Sequence, residues 1–470
     1  MTQKRVSRRG FVKAAALGGG ALVLTACAAP AATEAAAAPA ATAAPAATAA
    51  PAATAAPAAT ADPAAGSAIK GASLTFLHTA WFLPGMNEVE TAFGEKWAAK
   101  NGVNWSLSVA TGADIQAKLS VAIETKQGAN IVRFPQPPQA IFKSLVDVTE
   151  VAKFIGAQQD GWYPVAEKVS SVDGKWYAIP FSAATPMLVY REDWFAEAGV
   201  KGPPDTWEDL LEAGIKLKAI NHPIGITFGG GSAPNDSEAV ARMILWAYGG
   251  KEFNPDGSVA LDSPEALAAL DYAIRLQKEG NVSWGIGLTE TGNNMSYLAG
   301  QISATFNVNT IYLSALTSNP AIAKVSNHAL PPKGPAGRFS YTGFNFMGLL
   351  NHTEGINREA GLQYMRDFFS VENYSKWAKS GKAFQIPLGV IYEKLDVWDA
   401  DPKLVVAREI GKIARSSGYD LPYSNKLVSL MVAQSTLGKM FQNAVINGNA
   451  RAALDTTLAE IETLKKQAAS

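Results

Sequence analysis

The chain has 470 residues, 48% of them hydrophobic and 17% charged, with 41 Lys and Arg against 41 Asp and Glu. That balance suits a globular protein with room for two or three compact units, and no basic patch marks it for nucleic acid or for electrostatic docking to a membrane. Its one cysteine, Cys27, excludes an intramolecular disulfide, so the fold must stand on its hydrophobic cores.

The chain opens on Ser7-Arg8-Arg9-Gly10-Phe11-Val12-Lys13 and an apolar run from Ala14 to Ala26. A basic head before a short apolar stretch is an export signal, too short for a typical membrane span. The Ser-Arg-Arg-x-Phe-x-Lys pattern resembles the twin-arginine signal. Leu24-Thr25-Ala26-Cys27 resembles a bacterial lipobox, so residues 1–27 are read as a lipoprotein signal with Cys27 as the lipidated residue. Without the five cations that precede Cys27, 36 Lys and Arg face 41 Asp and Glu, and the mature chain carries about −5. Residues 28–68 are nearly all Ala, Pro and Thr and offer nothing to a core. A proline every six residues from Pro45 opposes helix, which leaves a semi-stiff tether reaching on the order of 100 Å at ~3 Å per residue.

Beyond the tether, Ala72 to Leu77 reads as a strand. A helix follows with Met86, Val89, Phe93 and Trp97 on one stripe, ending near Asn101-Gly102. Val103 to Val109 is a second strand, Ala113 to Thr125 a second helix, and Ile131 to Phe134 a third strand. This alternation predicts an α/β fold with largely parallel strands, whose ligands sit beyond the carboxyl ends of the strands. Met187 to Tyr190 is a buried-type strand, Glu192 to Ala198 a short helix, and Thr206 the N-cap of another helix with acids in its first turn.

Several motifs in fixed order now carry a resemblance: Asp173-Gly174-Lys175-Trp176-Tyr177-Ala178-Ile179-Pro180, then Leu188-Val189-Tyr190-Arg191, Phe195-Ala196-Glu197-Ala198-Gly199 and Pro204-Asp205-Thr206-Trp207-Glu208. Leu298-Ala299-Gly300-Gln301-Ile302-Ser303-Ala304, Leu330-Pro331-Pro332-Lys333-Gly334-Pro335 and the helix from Arg358 to Phe369 fit the same pattern. Together they resemble the family 1 extracellular solute-binding proteins, which include the maltose-binding and other sugar-binding components of ABC importers. The resemblance covers roughly residues 70 to 465. It implies a two-lobe periplasmic-binding-protein fold with three interlobe crossings, near 181–186, 340–345 and 390–401. One lobe would hold 70–182 and 345–395, the other 187–340 and 400–466. Solute would lie between them and draw them shut.

A sugar needs flat aromatic platforms and side chains that both donate and accept hydrogen bonds. Trp97, Trp194 and Trp377 fit apolar helix faces, Trp105 lies in a strand, and Trp207 follows an N-cap, so these read as core, as does Trp246. His78 and Trp81 follow the first strand, and Phe134 and Gln136 the third, where the maltose-type protein has a Trp and an acid. Asn235 and Asp236 end a Gly-rich loop and either grip hydroxyls or cap the next helix. Trp284 lies in a Gly-rich loop. After the strand 304–306, this sequence has Asn307-Val308-Asn309-Thr310-Ile311-Tyr312 where sugar-binding relatives carry Gly-Pro-Trp, so Asn307, Asn309 and Tyr312 are candidate replacements. Phe344 and Asn345, at the second crossing, complete the set.

No His-Glu-x-x-His or Gly-x-Ser-x-Gly motif and no cysteine nucleophile occurs. The four histidines are widely scattered, so no metal, cofactor or catalytic residue is expected. The expectation is a monomeric, lipid-anchored binding protein outside the cytoplasm that hands a sugar to an ABC permease. Three alternatives remain: the same role for a polyamine, peptide or other small solute; a carbohydrate-active enzyme built on two carboxylates; and a structural surface lipoprotein.

Overall fold

A computed structural model describes residues 68–111, 114–135, 137–421 and 425–469. The signal, Cys27, the tether and Gln136 lie outside the described residues. Strand β1 (Ser73–Thr79) leads into helix α1 (Pro84–Asn101), which Pro84 opens and Gly102 closes in the left-handed conformation at φ 65°. Strand β2 (Asn104–Ala110), helix α2 (Ile115–Thr125), β3 (Ile131–Phe134) and β4 (Ile179–Ala184) follow. From β4 the chain passes through Thr185 and Pro186 into β5 (Met187–Arg191), which belongs to a second sheet.

Around that sheet lie α3 (Trp207–Ala219), α4 (Pro234–Ala247), α5 (Pro264–Arg275), β6 (Ala304–Asn307), α6 (Thr310–Ser318) and β7 (Ser326–Ala329). Thr206 caps α3 in a reciprocal box with Asp209. The chain then returns along β8 (Gly343–Leu349) into the first sheet, adds α7 (Gly355–Phe368) and α8 (Val371–Ser380), and ends in the second lobe with α9 (Thr436–Asn447) and α10 (Ala450–Ala469).

The first sheet has the order β2-β1-β3-β8-β4 and the second β6-β5-β7. The expectation of largely parallel strands holds only for β1, β2 and β3. β8 runs antiparallel to both of its neighbours, and the second sheet is antiparallel throughout. The cause is the crossing pattern. β4 leaves the first lobe and β8 re-enters it beside β4, so the two must run in opposite directions.

The burial of α1 also departs from its predicted stripe. Met86 and Trp97 are buried, but between them Glu90 and Gly94 face the core, with Val89 and Phe93 only partly covered. A Cβ on Gly94 would lie 2.3 Å from the Trp105 indole, so the bare backbone lets β2 pack close to α1. Glu90 is buried because Arg133 meets it at 3.1 Å and the Trp81 indole N–H donates to it at 2.8 Å. Burial drives the Glu90 carboxyl upward while Arg133 and Trp81 pull it back. The second lobe buries a similar group, in which Arg242 pairs with Glu238 and, at 3.0 Å, with Glu252.

Removing one member of a buried pair strands the other charge. Arg133→Met is expected to lower the unfolding free energy in urea by about 3–5 kcal/mol. A change smaller than about 1 kcal/mol would mean that Glu90 is accommodated without its partner.

Candidate functional site

Asn307, the last residue of β6, pairs with Met187, the first residue of β5 after the crossing. Asn307 to Asn309 therefore emerge at the hinge end of the second sheet, towards the first lobe. Asn307 Nδ2 donates to Asn294 Oδ1 at 2.6 Å, and its Oδ1 accepts from Thr310 Oγ1 at 3.2 Å. The Asn294 backbone N–H donates to Asn293 Oδ1 at 2.7 Å, and Asn293 Nδ2 donates to Asp236 Oδ2 at 2.7 Å. Beside them, Glu290 accepts from the backbone N–H of Asn235 at 2.7 Å and from its side-chain amide at 3.3 Å. The result is a wall of amides and carboxyls on the second lobe.

Asp236 is held up to about 8 by burial and by the charge of Glu290, against the Asn293 hydrogen bond, so at neutral pH it is mostly protonated. Neither Asn235 nor Asp236 caps α4. Its N-cap is Ala233, without a side-chain bond, and Pro234 opens the helix.

The first lobe meets the end of the 307–309 segment through the turn after α8. Lys382 and Ala383 are consecutive left-handed residues at φ 45° and 59°, a conformation that side chains disfavour. The Lys382 carbonyl accepts from Asn309 Nδ2 at 2.9 Å, so this bond joins the two lobes. The next ring, Phe384, lies 6.1 Å from Phe82, which is 54% exposed. Gln385 is buried and accepts from Ser182 of β4 at 2.7 Å and from Asn345 at 3.5 Å.

The other candidates disperse. His78 stacks on Phe76 on the face of the sheet that α7 covers. Burial and the Arg133 charge lower its pKa to about 3, so it is neutral, and its Nδ1 accepts from Arg133 at 2.8 Å. Trp81, expected in an open loop, lies in the first-lobe core with Arg133 3.6 Å above its ring and Phe181 and Trp377 beside it. The buried Glu90 draws its N–H inward. Phe134 packs on Phe346, as does Phe344, and both are buried. Tyr312 points to the third crossing, where its hydroxyl donates to Asp401 at 2.5 Å. Trp284 is 42% exposed.

Sequence reasoning, which placed 78–82 near a site, passed over Glu290, Asn293, Asn294 and the 382–385 turn. The polar run Gly292-Asn293-Asn294 was a legible signal; the left-handed pair at 382–383 was not, because neither residue is glycine. Among the described residues no cluster of three His, Cys, Asp or Glu side chains is placed to hold a metal, and no helix is long and apolar enough to cross a membrane.

The profile of a family described as bacterial extracellular solute-binding protein matches residues 92–405. Among curated relatives, a Brucella abortus binding protein is 34% identical over 119 residues, 25% of this chain and 28% of the relative. The sn-glycerol-3-phosphate-binding periplasmic protein UgpB of Escherichia coli is 35% identical over 155 residues, 30% of this chain and 34% of the relative. The chain thus spans about a third or less of these relatives' length. Solved structures resemble nearly the whole body. Maltose-bound MalE3 of T. maritima is 18% identical with a TM-score of 0.70, covering 84% of this chain and 100% of that one. A sugar transporter from Arthrobacter chlorophenolicus with bound laminaribiose is 19% identical with a TM-score of 0.71, covering 83% and 99%. These likenesses show the two-lobe fold.

A carboxyl raised in the folded state stabilises fully only below its ordinary range, and that stability falls as pH climbs towards 8. Asp236→Asn removes this dependence. The variant is expected to melt with the native chain at pH 4 and several degrees above it at pH 8.5, at about 2–4 °C per kcal/mol. Parallel melting curves across that range would show that Asp236 titrates normally.

Proposed function

The chain belongs to the family of bacterial extracellular solute-binding proteins, and on that membership we propose that it captures a sugar or oligosaccharide between its lobes and delivers it to the membrane permease of an ABC importer. The observation that carries this reading is the meeting of the two lobes at Asn309 and Lys382, with amides close in sequence on one side and aromatic rings on the other. Phe82 and Phe384 offer rings to the apolar face of a pyranose, and the Asn307, Asn294, Asn293 and Asp236 group offers donors and acceptors to its hydroxyls. The maltose and laminaribiose bound in two structural relatives support the same class. The phosphate ester in the name of another relative fits less well, because the Glu290 carboxylate on the second-lobe wall opposes an anion.

In this reading, open lobes admit solute, contacts from both sides favour the closed form, and no bond is made or broken. Closure presents both lobes to the permease, and Cys27 carries the lipid that keeps the protein at the outer face of a membrane. Glu290 beside Asp236 favours a second reading, a cationic solute such as a polyamine.

A thermal-shift screen against neutral sugars, sn-glycerol 3-phosphate and polyamines tests the substrate. A solute at 100 times its dissociation constant adds about 2.7 kcal/mol and raises the melting point visibly. Sugars are expected to act; a response confined to the phosphate or to polyamines would overturn the sugar. For the anchor, Cys27→Ser is expected to move the protein from the membrane fraction to the soluble one. Unchanged membrane association would remove the lipid from the reading.

A further inference from the structure

Residues 80–83 link β1 to α1 without regular structure, yet the segment is held at its root and along its backbone. The Thr79 carbonyl accepts from Arg133, Glu90 accepts from the Trp81 indole N–H at 2.8 Å, and the Arg133 guanidinium lies 3.6 Å from the centre of the Trp81 ring. The backbone is held by Asn87, near the start of α1. Its Oδ1 accepts from the Trp81 backbone N–H at 2.7 Å, and its Nδ2 donates to the carbonyls of Trp81 at 2.9 Å and Leu83 at 3.3 Å. An asparagine amide has one oxygen that accepts and two N–H bonds that donate, and all three are directed at this loop. The amide closes on both the N–H and the carbonyl of Trp81, as a paired strand would. Those carbonyls can only accept, so its orientation is fixed.

Between the two held residues stands Phe82. With Trp81 turned into the core, Phe82 is turned outward: it is 54% exposed and Trp81 8%. Phe384, from the turn after α8, lies 6.1 Å from its ring. A ring on a loose loop must be ordered when it binds, and that ordering costs affinity; a ring on a loop already held avoids most of the cost.

We propose that Asn87 is a positioning residue, which bonds the peptide groups on either side of Phe82 and so presents that ring in one place to the apolar face of a pyranose. The assignment rests on the sugar-binding reading, in which Phe82 and Phe384 supply the aromatic contact. Glu90 and Arg133 hold the root of the loop through the Trp81 ring, whereas Asn87 sets the direction of the residue that follows. Asn87 spends its polar atoms on the backbone, so it acts on the solute only through Phe82.

The test uses the full chain with Asn87→Ala, which drops all three bonds, and Asn87→Asp, which sets a carboxylate against two carbonyls. The added charge lies near a helix N-terminus, which favours it, so the Asp variant keeps the fold. Hydrogen exchange on the solute-free protein reads the loop. Both variants are expected to speed exchange at the amides of 81–83 by about tenfold or more, while the strands of the first sheet keep their protection. Unchanged exchange at Trp81 would overturn the assignment. If Asn87→Ala does not fold, the Asp variant decides this arm.

Calorimetric titration with the neutral sugar that most stabilises the native protein reads the function. Asn87→Ala is expected to weaken binding by about fivefold to twentyfold. The same change in a Phe82→Ala background is expected to alter affinity by less than about twofold, because a residue that acts through a ring then has nothing to act on. An equal loss in both backgrounds, or native affinity in Asn87→Ala, would overturn the assignment, since a merely structural role survives removal of the ring. If Phe82→Ala binds as the native chain does, or no sugar binds the native protein, the sugar-binding reading of these rings fails and this assignment falls with it. The exchange measurement still decides whether Asn87 holds the loop.

Discussion

Two threonines meet where the chain crosses between the lobes: the hydroxyls of Thr185 and Thr342 lie 2.7 Å apart, both buried. Ser340 adds a bond to the Pro186 carbonyl at 2.8 Å. The outgoing and returning segments are thus bonded side by side, and the rest of the architecture depends on that pairing. It sets β4 against β8 in opposite directions and aims β5 away from the hinge. Because β6 runs antiparallel to β5, its last residues come back to the hinge. Asn307 and Asn309 lie at the lobe boundary for that reason, and the same constraint gives the second sheet its antiparallel order.

Each lobe adds a rigid base behind its wall. In the second, α4 carries Asp236 in its first turn and Arg242 two turns later. Arg242 is bound by Glu238 and Glu252 and lies 5.4 Å from the ring of Tyr341, a residue of the returning crossing. Glu238 also accepts from the backbone N–H of Gly438 in α9 at 2.7 Å, so the helix is tied to its neighbours by charge as well as by packing. In the first, Arg133 joins Glu90, His78, Trp81 and the Thr79 carbonyl directly beneath the end of β1. Buried charges held this way tolerate little displacement.

The sequence was most legible where a local rule acts alone. The α1 boundaries follow from Pro84 and Gly102, the α3 start from Thr206 and Asp209, and the β3 limits from a short apolar run. Patterning failed where polar groups satisfy each other inside a core. Glu90 breaks the apolar stripe of α1, and only the distant Arg133 makes its burial tolerable. Trp81 and His78 are loop-like in sequence, yet that same pair draws both into the core. The placement of Asn307 and Asn309 just after a strand was legible, because the order of the motifs set that strand. The site was not legible in the 382–385 turn, whose left-handed residues are a lysine and an alanine, or in Glu290, whose partners lie 55 residues away in sequence.

Under the proposed sugar reading, amides in place of a tryptophan platform would change how the second-lobe wall discriminates. A large ring gives area and tolerates many sugars, because stacking asks only for a flat apolar face. Amides instead demand a donor or an acceptor at a fixed point, and leaving one unpaired in a buried site carries a direct cost. In this wall Asn307 is already bonded to Asn294 and Thr310, and Asn293 to Asp236, so their free capacity is small and directed. On that reading, a wall organised in this way would select solutes by the placement of hydroxyls more than by their length. The rings of Phe82 and Phe384 would supply contact area from the first lobe, so affinity and selectivity would fall to different lobes.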